Sequence, residues 1–241
     1  MPLPGDTKLI ASVGRMTEIT VVVWLAFGAF IYRSTLAAVA VHGAKTASQA
    51  GTQQGSVAFT DQALQQLYIG ELTTGLLIVG GLALRGWTAR RYGLSITLRS
   101  TMAGFALGLT AYLLSWGVLI AVYYGFSSLQ TAAATHTLTN LDVLLPTMLI
   151  TSGINGVYEE LFLCGYLMNA FGEGRWRLVA GVVSMLIRVS YHTYQGTYGV
   201  INVLIFGGIL TLYAARRRQI WPLIVAHIGA DVAGFLTMAS G

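Results

Sequence analysis

Two adjacent carboxylates, Glu159 and Glu160, sit in the second half of an apolar run that begins near Leu144 and ends near Ala170. That run is long enough to cross a bilayer. An ionised carboxylate at mid-membrane costs roughly 2.5–3.5 kcal/mol on insertion scales. Two neighbours cost more, because like charges oppose joint ionisation. A chain that keeps both must pair them structurally or use them in a buried site for chemistry or transport.

The rest of the chain is of the same kind. It is 55% hydrophobic and 10% charged, with a mean hydropathy of +0.67. A soluble domain carries about 25% charged residues. The expected fold class is therefore all-α, a polytopic membrane helical bundle, with residues 1–241 forming a single transmembrane domain. The net charge of +5 does not point to nucleic acid, since the basic residues fall in short clusters between apolar runs. One cysteine, Cys164, excludes an internal disulfide. The first apolar run, from near Ile19, is longer than the core of a cleavable signal peptide.

Seven spans are expected, near residues 18–41, 66–86, 101–125, 143–170, 178–194, 198–215 and 220–239. Eleven cations, from Lys8 and Arg15 to Arg216, Arg217 and Arg218, fall in loops of one side. Lys45 falls in a loop of the other, while Arg33 and Arg188 lie inside spans. The positive-inside rule then puts the N-terminus in the cytoplasm and the C-terminus outside, in a multi-pass protein of the cell (inner) membrane. Trp87, Trp176 and Trp221 lie beside cytoplasmic arginines, as an interfacial aromatic belt would. The basic segment Trp87–Arg99 is expected along that interface, and a short helix near Ala63–Tyr68 in the outer loop 43–65. Gly104 and Gly108, and Ser152 and Gly156, are small pairs four apart that allow close helix approach. Arg33 and Glu71 are expected to pair across the first two spans, since neither has a second polar group at helical spacing.

Three later spans bring polar groups to one depth. Glu159 lies roughly 18 Å from the cytoplasmic end and His192 roughly 21 Å, with His227 and Asp231 at roughly 12 and 18 Å. Arg188 and His192 share a helix face, as do His227 and Asp231. A carboxylate beside a neutral imidazole can hold and deprotonate a water. A second imidazole with a hydrogen-bonding neighbour can stabilise an oxyanion. No serine or cysteine has the setting of an activated nucleophile; Cys164 lies on the Glu160 face, where a thiolate would only add negative charge. Direct attack by water is thus favoured over a covalent intermediate. No cofactor is expected; the same Glu/His/His/Asp set could bind zinc, but no helix carries HExxH.

These residues resemble the CPBP family (CAAX prenyl protease and bacteriocin-processing, also called Abi), glutamate-dependent intramembrane proteases. The first motif, EExxxR, is matched by Glu159-Glu160-Leu161-Phe162-Leu163-Cys164. The second, FxxxH, is matched in place by Arg188-Val189-Ser190-Tyr191-His192, and the third, Hxxx(N/D), by His227-Ile228-Gly229-Ala230-Asp231. The resemblance marks residues 143–239 as a catalytic core. It implies that Glu159 and His192 activate the water, that His227 and Asp231 stabilise the oxyanion, and that Glu160 orients the site through a charge partner. The chain departs from the pattern twice, with Cys164 in place of the arginine and Arg188 in place of the phenylalanine. Arg188 is therefore expected to take over as partner of Glu160 from across the helix interface.

The implied activity is an endopeptidase acting on a membrane-embedded or lipid-anchored peptide, among membrane lipids and without nucleic acid. A second reading keeps the fold but makes the chain an inactive homologue, a bacteriocin-immunity or scaffold protein. A third, a proton-linked transporter, is weakened by the absence of repeated halves. Tyr191, Tyr194 and Gln195 either line a substrate path or anchor the interface.

Overall fold

The computed structural model describes residues 4–46, 60–126 and 143–239, and every regular element among them is helical. They are α1 (Pro4–Thr46), α2 (Asp61–Leu84), α3 (Leu98–Gly125), α4 (Leu145–Glu160), α5 (Leu167–Phe171), α6 (Arg175–His192), α7 (Gly196–Arg217) and α8 (Trp221–Ala239). A π-helical turn, Leu161–Tyr166, joins α4 to α5, and a 3₁₀ turn, Thr193–Gln195, joins α6 to α7. The helix expected near Ala63–Tyr68 is the first turns of α2, started at Thr60, whose hydroxyl caps the Ala63 N–H. Most of the loop before it lies outside the described residues.

Large apolar side chains face outward: Trp24, Leu77, Leu84 and Leu98 are 70, 73, 92 and 78% exposed. Water would not tolerate such a surface around a whole bundle; lipid does. Four helical stretches have the length and apolarity of a membrane span, at 13–39, 61–84, 98–125 and 175–217, and Trp221–Thr237 is a shorter apolar helix. The stretch 175–217 is folded on itself. Arg177, near the start of α6, donates to the carbonyls of Ala214 and Ala215 near the end of α7, so the two helices run antiparallel. Arg177 thereby bonds two carbonyls in the last turn of α7, that of Ala214 in addition to its bond from the Arg218 N–H.

Contacts order the other helices. Glu18 meets Arg85 and Tyr166, which brings the start of α1, the end of α2 and the end of the π turn together. Trp221 donates to Thr101, and the Gly93 carbonyl accepts from Ile220. The cation-bearing ends thus gather at one end of the bundle. There Trp87 departs from the expected belt: it is buried, its ring tilted against those of Tyr92 and Tyr166, with Arg91 over its face. The turn after α2 folds inward because the Trp87 N–H returns to the Leu82 carbonyl.

The small-residue stripes bring backbones close. A Cβ on Gly104 would lie 2.7 Å from Val225 Cβ and 2.8 Å from the Pro222 oxygen, and one on Gly108 would lie 3.0 Å from Ala226 Cα. These two glycines seat α3 on α8. Gly156 likewise seats α4 on α8, with room for a Cβ taken by Ile228.

Candidate active site

Glu159 and Glu160 are the last two residues of α4, immediately before the π turn. A π turn accommodates an extra residue in the helix, and such turns recur at functional sites. Both carboxylates are buried. They are held by Arg188 from α6, whose Nη1 lies 3.0 Å from Glu159 Oε2 and whose Nη2 lies 2.8 Å from Glu160 Oε1. The guanidinium reaches Glu160 as the two departures from the motif anticipate. It reaches Glu159 as well. Gly207 on α7 makes the space: a Cβ there would stand 2.6 Å from Arg188 Cδ. A bidentate guanidinium suits this task, because its fork can serve two carboxylates while staying planar.

α8 supplies the next layer. His227 Nδ1 lies 2.7 Å from Glu160 Oε1, and since an ionised carboxylate only accepts, Nδ1 carries the proton. The opposite nitrogen, Nε2, then faces Asp231 Oδ1 at 3.6 Å and Glu159 Oε2 at 3.9 Å. Those two distances are too long for direct hydrogen bonds. Asp231 is instead fixed by Asn155, whose Nδ2 donates to Oδ2 at 2.9 Å. Asn155 lies one turn before Glu159 on α4. As a polar residue on the Glu159 face of an apolar run, it carried a signal that the sequence reading did not use.

His192 ends α6. Its Nδ1 lies 2.9 Å from the Arg188 carbonyl, which can only accept, so Nδ1 bears the hydrogen. In the neutral ring Nε2 therefore keeps its lone pair. Tyr191 beside it stacks on Phe27 of α1, at 5.3 Å between centroids.

One cavity of about 580 Å³ collects these groups. Glu159, Arg188, His192, His227 and Asp231 all line it, and so do Tyr191, Tyr194 and Gln195. Glu160 does not; it sits behind the wall and holds His227 and Arg188 in place. The cavity draws on the early turns of α2 and α7 and the late turns of α3, α6 and α8, so it lies toward the end of the bundle away from the arginine clusters.

Glu71 is the group whose surroundings differ most from expectation. The ion pair with Arg33 does not form: Arg33 is exposed on α1, whereas Glu71 is buried and lines the cavity. Leu64, Leu67 and Glu71 share a face of α2, and that face turns to the cavity rather than to α1. For the zinc alternative, the described residues contain no group of three His, Cys, Asp or Glu side chains placed to share an ion.

Comparison with known families adds one match. Residues 142–233 match the family described as type II CAAX prenyl endopeptidase Rce1-like. That match supports the resemblance to the CPBP family over this segment. The segment contains all three motifs and Glu159, Arg188, His192, His227 and Asp231 of the cavity wall, while Glu71 lies outside it. No curated protein and no solved structure matches the chain. The Rce1-like family is one of proteases, and with the lipid-suited surface it makes this chain a membrane protein.

Proposed function

We propose that the chain is a glutamate-dependent intramembrane endopeptidase that cleaves a membrane-embedded or lipid-anchored peptide in the 580 Å³ cavity. The observation that carries this reading is the convergence of Glu159, His192, His227 and Asp231 on that one cavity. Arg188 occupies one oxygen of Glu159, and the other is left to accept a proton from water. The lone pair of His192 Nε2 serves the same water as a second acceptor. The water oxygen attacks the scissile carbonyl carbon, and its proton passes to Glu159. The charge that develops on the carbonyl oxygen is met by His227 Nε2–H when that ring is protonated. Collapse breaks the C–N bond, and the proton held by Glu159 goes to the leaving amine. Glu160, Arg188 and Asn155 position these groups without touching the substrate. No metal enters this scheme.

The cavity is reached within a bundle that crosses the membrane seven times, with the N-terminus cytoplasmic. Two facts support that count: α6 and α7 form an antiparallel pair, and the arginine-bearing ends of the helices gather at one end. The inner cell membrane is the corresponding location.

One observation favours the inactive, immunity-type reading: Arg188 binds the same carboxylate that must act as base. The test is cleavage of lipidated peptides by purified protein in nanodiscs. The protease reading predicts cleavage by the unaltered chain, loss of it in Glu159→Ala, and no trapping of an acyl-enzyme by hydroxylamine. Full cleavage by Glu159→Ala removes the glutamate mechanism. A protective phenotype in cells that survives Glu159→Ala establishes the immunity-type reading instead.

A further inference from the structure

Glu71 is a carboxyl group that the mechanism does not use. It is 3% exposed, it faces the cavity from α2, and its Oε2 has no hydrogen-bond partner among the described residues. A buried acid without a partner is costly unless something completes the pair. The cations among the described residues do not. The one guanidinium lining the cavity, Arg188, is already bound to Glu159 and Glu160. The arginine clusters lie at the opposite end of the bundle, and Arg33 is exposed on α1.

The charge around the cavity points the same way. Three carboxylates line it, Glu71, Glu159 and Asp231, against a single guanidinium that is spent and the imidazoles of His192 and His227, which the mechanism uses. Aromatic rings line the same cavity: Phe27, Phe30, Tyr158, Tyr112 and Trp116. Tyr158 is fixed there, its hydroxyl donating to the Ala26 carbonyl and its ring packed against Phe27 and Phe162. An acid among aromatic faces is a setting that binds a cation, by charge from the carboxylate and by the ring quadrupoles.

We propose that Glu71 is a specificity-determining residue, an acidic subsite on α2 that takes a basic side chain of the peptide substrate. This rests on the protease reading for what the substrate is, but the subsite itself is read from α2.

The experiment uses the full chain in phosphatidylglycerol nanodiscs, which bring no lipid amine. The probes are palmitoylated, fluorescein-labelled peptides in which one lysine is stepped through successive positions, each compared with leucine at that position. Binding is read by anisotropy and cleavage by gel on the same samples. The expected result is one lysine position that improves affinity about tenfold or more over leucine. Glu71→Gln should bring that ratio to within about twofold of unity, and Glu71→Asp should keep part of it. Binding of the leucine peptides should be alike in all three proteins.

A lysine scan with no favoured position overturns the subsite, as does a preference undiminished in Glu71→Gln. The scan on the unaltered protein decides this even where Glu71→Gln fails to fold. Lysine-dependent binding without any cleavage sinks the protease reading and leaves the acidic subsite standing. Cleavage without lysine preference does the reverse.

Discussion

Arg188 holds two buried carboxylates at once, so its removal should hurt more than the loss of an ordinary ion pair. Breaking a buried pair by deleting one member costs about 3–5 kcal/mol. Arg188→Ala is expected to lower the thermal midpoint in detergent and to abolish cleavage. Glu160→Gln on that background should restore part of the midpoint by removing one orphaned charge. The restoration stays partial, because Glu159 is also left without its partner and Glu160 no longer presents a carboxylate to His227. A double variant no more stable than Arg188→Ala would contradict the pairing. Much of this was legible in the chain. The spacing of Arg188 and His192, and an arginine missing where Cys164 stands, pointed to an interhelical partner for Glu160. Glu71 was not legible in the same way. A lone acid on an apolar helix gives no hint of which neighbour it faces, and Arg33, the intramembrane cation it was matched with, is exposed on α1.

At the scale of helices, position depends on close approach. Gly104→Ala places a methyl 2.7 Å from Val225 Cβ and 2.8 Å from the Pro222 oxygen, so α3 and α8 must separate. Overpacking of this kind costs about 1–3 kcal/mol. It should outweigh the gain of up to about 1 kcal/mol that alanine brings to a helix interior. Gly117→Ala on the same helix meets open space and should keep the gain. Thermal unfolding of the two variants checks this: Gly104→Ala should fall and Gly117→Ala should hold or rise. The small-residue stripe was readable from spacing alone. The π turn was not, since no proline marks it and the apolar run 161–163 fits an α-helix equally well. Trp87 was misjudged because a tryptophan beside arginines fits an interfacial belt, while the backbone turn that carries it inward leaves no mark in composition.

For the molecule as a whole, the arginine-rich end of the bundle makes the proposed topology testable. Fusions at the C-terminus should leave green fluorescent protein dark and alkaline phosphatase active, with the opposite result at the N-terminus. The central claim is narrower: an acid from α4 and an imidazole from α6 work on one water in one cavity, although they come from different helices. Groups that act as a unit give non-additive kinetic losses. The measurement is kcat for peptide cleavage by Glu159→Gln, His192→Ala and the double variant, in the same nanodiscs as the unaltered chain. General-base loss should cost each single variant about 10²–10⁴-fold, with the double variant no slower than the worse single. Two losses that multiply would mean separate tasks, and the shared-water account would fall.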